Sequence, residues 1–339
     1  MKILSKMNRV FSSFAIALLV APMATHAQNN PISIDDLIER GDVKILAASD
    51  VSQAYIDMTK QWLEIGANEW FLKDGDIADD RYYPLIVTMV HRDVEAAAEV
   101  TEALCDEIRE NNYSQWLCRN HFAGDEHGNP LVDGVASISS YRGENGFHFM
   151  MIGTASRWRR DDFAEIILHE LFHVYQLSQF TTKDGREADR LMGKRSGDFA
   201  KDVPWWSEGT ATLMARTTYA EHANKPNNYV RNLMACQLGD CRGRSSPMIR
   251  DYFRGGQKLY NIGWEDNSHM GYQLGALFAA YLINDVGVDK VFEFYQSVDR
   301  LGFDTAFEAT FGKPHRDYID EFETYIQSNR INSIVRELF

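Results

Sequence analysis

The chain has 339 residues, of which 45% are hydrophobic, and its formal net charge is −14 at pH 7. This length is ample for the core of one large domain or two lobes. This negative charge opposes binding to a nucleic-acid backbone, and the composition gives no indication of a basic groove. A cationic substrate would be favoured electrostatically, although a charged surface usually serves only solvation.

The first 27 residues predict a cleaved export signal. Three basic residues open this segment, an apolar run spans residues 14–20, and a small-residue exit ends at Ala27. The run is too short to cross a bilayer. We therefore expect a periplasmic or secreted chain without a stable membrane span, with an uncleaved amino-terminal anchor as the alternative. Removing three basic and no acidic residues changes the charge from −14 to −17.

Helices and one strand are predicted over the next part of the chain. Residues 28–80 are predicted to be helical, with a short helix over 35–40 and a longer one over 51–72; whether they belong to a lobe or to a removable propeptide stays open. The β-branched content of residues 85–90 predicts a strand. Residues 93–110 predict a further helix.

Two further strands are predicted before the apolar centre of the chain. Residues 135–141 alternate in the manner of a strand with one buried face, and residues 147–152 are expected to pair beside them.

Four cysteines, Cys105, Cys118, Cys236 and Cys241, form an even set, which agrees with an exported chain. The simplest pairing joins Cys105 to Cys118 and Cys236 to Cys241. Metal ligation is not expected of them, because C-x-x-C spacing is absent. The other pairings and free thiols are the alternatives.

An apolar helix predicted over residues 163–177 contains the motif H-E-x-x-H. His169 and His173 stand four residues apart, so both imidazoles can face one metal ion. Zinc is the expected ion, because a catalytic zinc site takes three protein ligands and leaves a fourth position to water. Glu170, about 100° around the helix from His169, could reach that water. The alternative is a core helix whose histidines are hydrogen-bonded, but burying these groups is unfavourable unless they are paired or coordinated.

A second helix, predicted over residues 204–216, would carry Glu208 in its first turn. The segment from Trp205 to Gly209, together with H-E-x-x-H, resembles the gluzincins, the thermolysin-like metallopeptidases of the MA clan. The resemblance implies Glu208 as third zinc ligand and Glu170 as general base in peptide hydrolysis.

The resemblance also implies an α+β, thermolysin-like zincin fold. Residues 28–178 would form a mixed α/β lobe after the signal peptide, and residues 179–339 a mostly helical lobe carrying the third ligand. A loop is expected over residues 181–203, between the two ligand helices.

Downstream, residues 271–282 resemble the helix that follows the third ligand in aminopeptidase-like gluzincins, and residues 307–326 resemble the closing helices. The resemblance implies that Tyr272 stabilises the oxyanion, with His269 as a substitute. Ordinary packing is the alternative role for Tyr272.

Glu144 and Asn145 keep part of the G-x-M-E-N motif with which aminopeptidases of this clan bind a free amino terminus, but the Met is missing. An ordinary turn between strands is the alternative, so the choice between endopeptidase and aminopeptidase stays open. The resemblance also makes the strand over residues 147–152 the candidate edge strand that would pair with an extended peptide substrate.

Two other classes of function remain as alternatives: a non-catalytic zinc-containing binding or assembly protein, and an amidase acting on cell-wall peptides. Glu170 argues against the first, since a structural zinc site needs ligands but no general base. The sequence does not predict the substrate, the cleavage preference or the oligomeric state.

Overall fold

A computed structural model describes residues 31, 33–74, 80–108, 136–141, 147–154, 160–182, 184–194, 202–238, 240–241, 244–245, 248–264 and 268–339. The predicted signal peptide lies outside these residues. The helices and strands of the first half are α1 (Ile34–Arg40), β1 (Val43–Ala47), α2 (Gln53–Trp70), β2 (Leu85–Val90), α3 (Val94–Ile108), β3 (Ala136–Tyr141), β4 (Phe147–Gly153) and α4 (Arg160–Ser178).

Those of the second half are α5 (Gly185–Leu191), α6 (Trp205–His222), α7 (Tyr229–Leu238), β5 (Asp240–Cys241), β6 (Arg244–Ser245), α8 (Met248–Gly255), α9 (Ser268–Val286), α10 (Asp289–Leu301), α11 (Phe303–Phe311), α12 (His315–Ser328) and α13 (Ile331–Leu338). Helix predominates, and with the sheet of the first half it confirms the α+β class. Within the described part of the chain, none of the helices combines the length and apolar character needed to cross a bilayer.

The main sheet has four strands in the order β1-β2-β4-β3. Strands β1, β2 and β4 are parallel, with Val43 opposite Leu85 and Leu85 opposite His148, and β3 runs antiparallel to β4. The prediction that residues 147–152 form an edge strand was wrong, because β4 pairs on both sides. Among the described strands, β3 lies at that edge of the sheet instead.

Strand β1 was missed by the sequence analysis, which described residues 28–80 as helical and predicted no strand between the helices over 35–40 and 51–72. The segment V-K-I-L-A is too short to show a period of two clearly, and its conformation comes from pairing with β2, about 40 residues away in the chain. Backbone hydrogen bonds extend this pairing: the amide of Leu85 donates to the carbonyl of Asp42, and the amide of Ala48 donates to that of Met89.

The predicted loop over residues 181–203 contains a short helix, α5, so this prediction was wrong for residues 185–191. Asp184 caps the helix, since its side chain accepts a hydrogen bond from the backbone amide of Arg186 at 2.8 Å. The loop was predicted from the charged residues and glycines of this segment, but one of those charged residues, Asp184, is the cap that starts the helix.

Helix α4 lies in the interior and connects the sheet to the helical half. It contacts α2, β3 and α6, while α6 packs along α9. Most of its side chains are buried, including Phe163, Ile167 and Phe172. Residues 31–339 form one compact unit, and the main core holds residues from both predicted lobes. The division between residues 178 and 179 stays a prediction.

Two glycines bring α6 and α9 into backbone contact. A Cβ atom on Gly209 would lie 2.4 Å from the carbonyl carbon of Gly275, and one on Gly275 would lie 2.5 Å from the carbonyl oxygen of Trp205. Residues with side chains would therefore force the helices apart at this crossing. Because Glu208 precedes Gly209 and Tyr272 lies about one turn before Gly275, the crossing brings Glu208 and Tyr272 close together.

Aromatic packing fixes the start of α6. Trp206 is fully buried, and the rings of Phe294, Phe307 and Phe311 meet it edge-on at centroid distances of 5.3–5.6 Å. The first turn of α6, which carries Glu208, is thus held by side chains from α10 and α11.

Candidate metal centre

Three side chains from two helices converge on one point. His169 and His173 extend from α4, and Glu208 extends from the first turn of α6. Glu208 Oε2 lies 3.1 Å from His169 Nε2 and 3.2 Å from His173 Nε2, and the two nitrogens are 3.1 Å apart. The structure therefore brings together the three residues that the sequence predicted as ligands, and they form a group able to hold a metal ion.

The dimensions of this group suit zinc. The three atoms form a nearly equilateral triangle with sides of 3.1–3.2 Å. Donor atoms this close together could all contact one zinc ion at its usual ligand distances of about 2.0–2.2 Å. Two imidazole nitrogens and one carboxylate oxygen are also the donor types that zinc accepts in catalytic sites.

Charge couples the ligands strongly in the metal-free protein. Burial opposes the charged form of His173, but the neighbouring Glu208 carboxylate outweighs burial and raises the pKa of His173 to about 9. Burial likewise opposes ionisation of Glu208, but His173 and the hydrogen bonds from both histidines hold the pKa of Glu208 far below its usual range. Without a metal, the site holds a protonated imidazole beside a carboxylate.

Glu170 is a buried carboxyl next to this group, with 7% of the residue exposed. Burial raises its pKa; His169 and His173 oppose the shift, and Glu208 adds to it. Glu170 is therefore a carboxyl close to the three candidate ligands and not one of them.

Of the two predicted oxyanion donors, Tyr272 contacts one of the candidate ligands, whereas His269 faces Gln237. The Tyr272 ring stacks on His169 at a centroid distance of 6.0 Å. Burial, followed by the charges of Glu208 and Glu170, raises the pKa of Tyr272 above its ordinary range, so its hydroxyl stays protonated. His269 is exposed, and its Nε2 lies 3.3 Å from Oε1 of Gln237.

The structure describes only some of the other predicted residues. Glu144 and Asn145 lie outside the described residues, and so does Cys118. The backbone of Cys241 is described, but its side chain is not. Cys105 and Cys236 are not free thiols; their predicted pairings with Cys118 and Cys241 remain predictions.

Sequence reasoning missed a buried polar network behind His173. Gln176, which is fully buried, accepts from Nδ1 of His173 at 2.6 Å and hydrogen bonds to the start of α6 through Ser207 and Thr210. The sequence did offer a signal, because a glutamine follows His173 by three residues on a largely apolar helix. A buried amide needs hydrogen-bond partners, so its presence there indicates a polar network.

A second polar cluster, also missed, lies one helical turn from His169. Arg216 is buried on α6; its Nε lies 3.7 Å from Oε2 of Glu165, and its Nη1 donates to Oε1 of Gln273 at 2.8 Å. The hydroxyl of Tyr229 donates to the same Glu165 carboxylate at 2.6 Å. These contacts join α4, α6, α7 and α9 beside the candidate metal centre.

No family model matches the chain, and no curated protein matches its sequence. The likeness to the gluzincins therefore rests on the H-E-x-x-H motif and the Trp205–Gly209 segment. The convergence of His169, His173 and Glu208 agrees with that likeness, but a group of two histidines and one carboxylate does not define a family.

Proposed function

We propose that this protein is an exported, gluzincin-like zinc metallopeptidase that hydrolyses peptide bonds. The observation that carries the proposal is the triangle of Nε2 of His169, Nε2 of His173 and Oε2 of Glu208, with sides of 3.1–3.2 Å. Glu170, a buried carboxyl beside this triangle, supports a catalytic site, because a structural zinc site has no use for a general base.

Zinc bound there would polarise the scissile carbonyl and lower the pKa of a water ligand to about 7. Glu170 would take a proton from the attacking water and pass it to the leaving nitrogen, acting first as base and then as acid. Its burial, which raises its pKa, moves the carboxyl toward the pH at which it can do both. The Tyr272 hydroxyl would donate a hydrogen bond to the carbonyl oxygen as negative charge develops.

Strand β3 is the proposed docking edge for an extended peptide. It lies at the edge of the sheet and contacts α4, the helix that carries both histidines. Main-chain hydrogen bonds to such an edge would align a peptide with little regard for its side chains. This assignment replaces β4, whose backbone groups are already used by β2 and β3.

Zinc content and cleavage of a mixed peptide library, both measured on the mature chain, test the proposal. We expect one zinc per chain and cleavage that stops when a chelator is added. Glu170→Gln should abolish turnover and keep zinc bound. Glu165→Gln provides a matched control, because it makes the same change in a largely buried carboxyl on the same helix. Glu165 is not one of the three candidate ligands, which this variant leaves unchanged.

Other outcomes would contradict the proposal. Bound zinc without cleavage of any peptide would favour a binding or assembly protein. Cleavage confined to cell-wall peptides would favour an amidase, and Glu170→Gln acting at the parental rate would remove Glu170 from the mechanism.

A further inference from the structure

A buried glutamine connects one candidate ligand to the helix that carries another. Gln176 lies on α4 three residues after His173 and is 0% exposed. Its Oε1 lies 2.6 Å from Nδ1 of His173 and 2.9 Å from Oγ of Ser207. Its Nε2 donates toward the carbonyl oxygen of Ser207 at 3.1 Å, and toward Thr210 Oγ1 and the Tyr295 hydroxyl at 3.0 Å each.

The orientation of the Gln176 amide follows from the chemistry of its partners. The backbone carbonyl of Ser207 can only accept a hydrogen bond, so the amide nitrogen must face it. A flipped amide would set two carbonyl oxygens against each other at 3.1 Å in a buried place. The amide oxygen therefore faces His173.

This orientation fixes the proton on His173. An amide oxygen only accepts, so Nδ1 of His173 must carry the hydrogen in the 2.6 Å contact. In the neutral imidazole, a proton on Nδ1 leaves the lone pair on Nε2. Nε2 is the atom that lies 3.1 Å from His169 Nε2 and 3.2 Å from Glu208 Oε2.

We infer that Gln176 is a positioning residue of the metal centre, which holds His173 in the tautomer whose Nε2 lone pair faces the ion and ties that imidazole to the first turn of α6. The inference rests on the proposed function for the existence of the metal site. Its second part follows from Ser207, which precedes Glu208 and is held by Gln176 at both its hydroxyl and its carbonyl.

Gln176→Leu and Gln176→Glu separate this role from simple packing. Leucine removes the acceptor for Nδ1, and we expect zinc affinity to fall roughly 10- to 100-fold, as is usual when a hydrogen-bond partner of a ligating histidine is lost. Glutamate keeps an acceptor for Nδ1 but loses the donor that faces the Ser207 carbonyl, so it should restore only part of the affinity that Gln176→Leu loses. Gln273→Leu is the matched control, because Gln273 is also a buried glutamine but bonds to Arg216; its zinc affinity should equal that of the parent.

The tautomer can be read without any activity measurement. In the full chain with ¹⁵N-labelled histidine, loading with ¹¹³Cd should give metal coupling to Nε2 of His173 and none to Nδ1. In the metal-free chain at pH 10, where imidazole is neutral, Nδ1 should have the shift of a protonated nitrogen. Far-UV circular dichroism checks that each variant is folded.

Several results would overturn the inference: a folded Gln176→Leu variant with parental zinc affinity, coupling through Nδ1, or, in the metal-free chain at pH 10, a neutral His173 with its proton on Nε2. The nitrogen shifts report on Gln176 even if the parent does not bind zinc. If zinc binding and tautomer behave as expected but no peptide is cleaved, the proposed function fails and the role of Gln176 stands.

Discussion

Zinc binding at the proposed site would have to displace a proton from His173. The neighbouring Glu208 outweighs burial and raises the pKa of His173 to about 9 in the metal-free protein, so the protonated form dominates at neutral pH. Because a zinc ligand must be neutral imidazole, we expect the apparent zinc affinity to rise about tenfold per pH unit between pH 7 and pH 9 and then to level off. Each zinc bound at pH 7 should release about one proton.

Titration calorimetry in buffers of different ionisation enthalpy measures both quantities. A zinc affinity that does not change between pH 7 and pH 9, with no proton released, would contradict the coupling between His173 and Glu208.

Tyr272 is the expected oxyanion donor, because its ring stacks on His169 and its hydroxyl stays protonated. Tyr272→Phe should lower kcat by about 10²- to 10³-fold, the usual effect of removing one such donor. Zinc content should stay at the parental level, since Tyr272 is not a ligand. Steady-state kinetics on one cleaved peptide, with metal analysis, make this measurement.

His269→Ala is the comparison variant for Tyr272→Phe. With His269 directed toward Gln237, we expect kcat to stay within a factor of about two of the parent value, too small a change to represent loss of an oxyanion donor. If His269→Ala lost activity and Tyr272→Phe kept it, the roles assigned to these two side chains would have to be exchanged.

At the scale of elements, the crossing of α6 and α9 is the most constrained contact near the site. A methyl group on Gly209 or Gly275 would lie within 2.5 Å of backbone atoms of the other helix. We expect Gly275→Ala to destabilise the fold by about 1–3 kcal/mol or more, as overpacking does, and to weaken zinc binding by displacing Glu208. Urea unfolding and zinc titration measure the two effects.

Gly255→Ala is the control for this change. A Cβ atom there meets only the side chain of Gln257, at 3.8 Å, so stability should change little. Equal stability of Gly275→Ala and Gly255→Ala would show that the two helices can separate without penalty.

The helices that carry the site were predictable because their signals are local. The apolar run of α4, and the Pro204 that precedes α6, are visible in short windows, and the four-residue spacing of the histidines defines one face of α4. Strand β2 was predicted at its observed bounds for the same reason.

The errors concern elements whose conformation or place depends on distant partners. Strand β1 forms by pairing with β2, and β4 became an interior strand because β2 pairs with it in parallel across a long connection. Strand order is a tertiary property. The sequence of a strand indicates whether its faces are buried, but it does not indicate which strands lie beside it in the sheet.

The same division holds within the site. His169, Glu170 and His173 belong to one motif, and Glu208 follows in a recognisable segment. Gln176 acquires its role only through Ser207 and Tyr295, which lie 31 and 119 residues further along the chain. Such contacts are fixed by packing and leave no periodic trace in the sequence.

At the scale of the whole molecule, the candidate metal centre joins the two halves of the chain. The three candidate ligands come from α4 and from α6, which belong to different predicted lobes but share one core. Zinc that binds only the folded chain should stabilise it, by about 2.7 kcal/mol when free zinc exceeds the dissociation constant 100-fold.

Thermal unfolding measured with and without a chelator tests this linkage. We expect the parent to lose stability on chelation and Glu208→Ala to respond little, because that variant lacks the third ligand. Equal unfolding temperatures for the parent in zinc and in chelator would show that the ion does not bind across the two helices.

The most direct test of the central claim is zinc X-ray absorption spectroscopy on the purified mature chain, together with zinc content. The account predicts one zinc per chain with two imidazole nitrogens and carboxylate oxygen at about 2.0–2.2 Å, and loss of the oxygen contribution from protein in Glu208→Ala. A chain without zinc, or a zinc environment unchanged by Glu208→Ala, would contradict it.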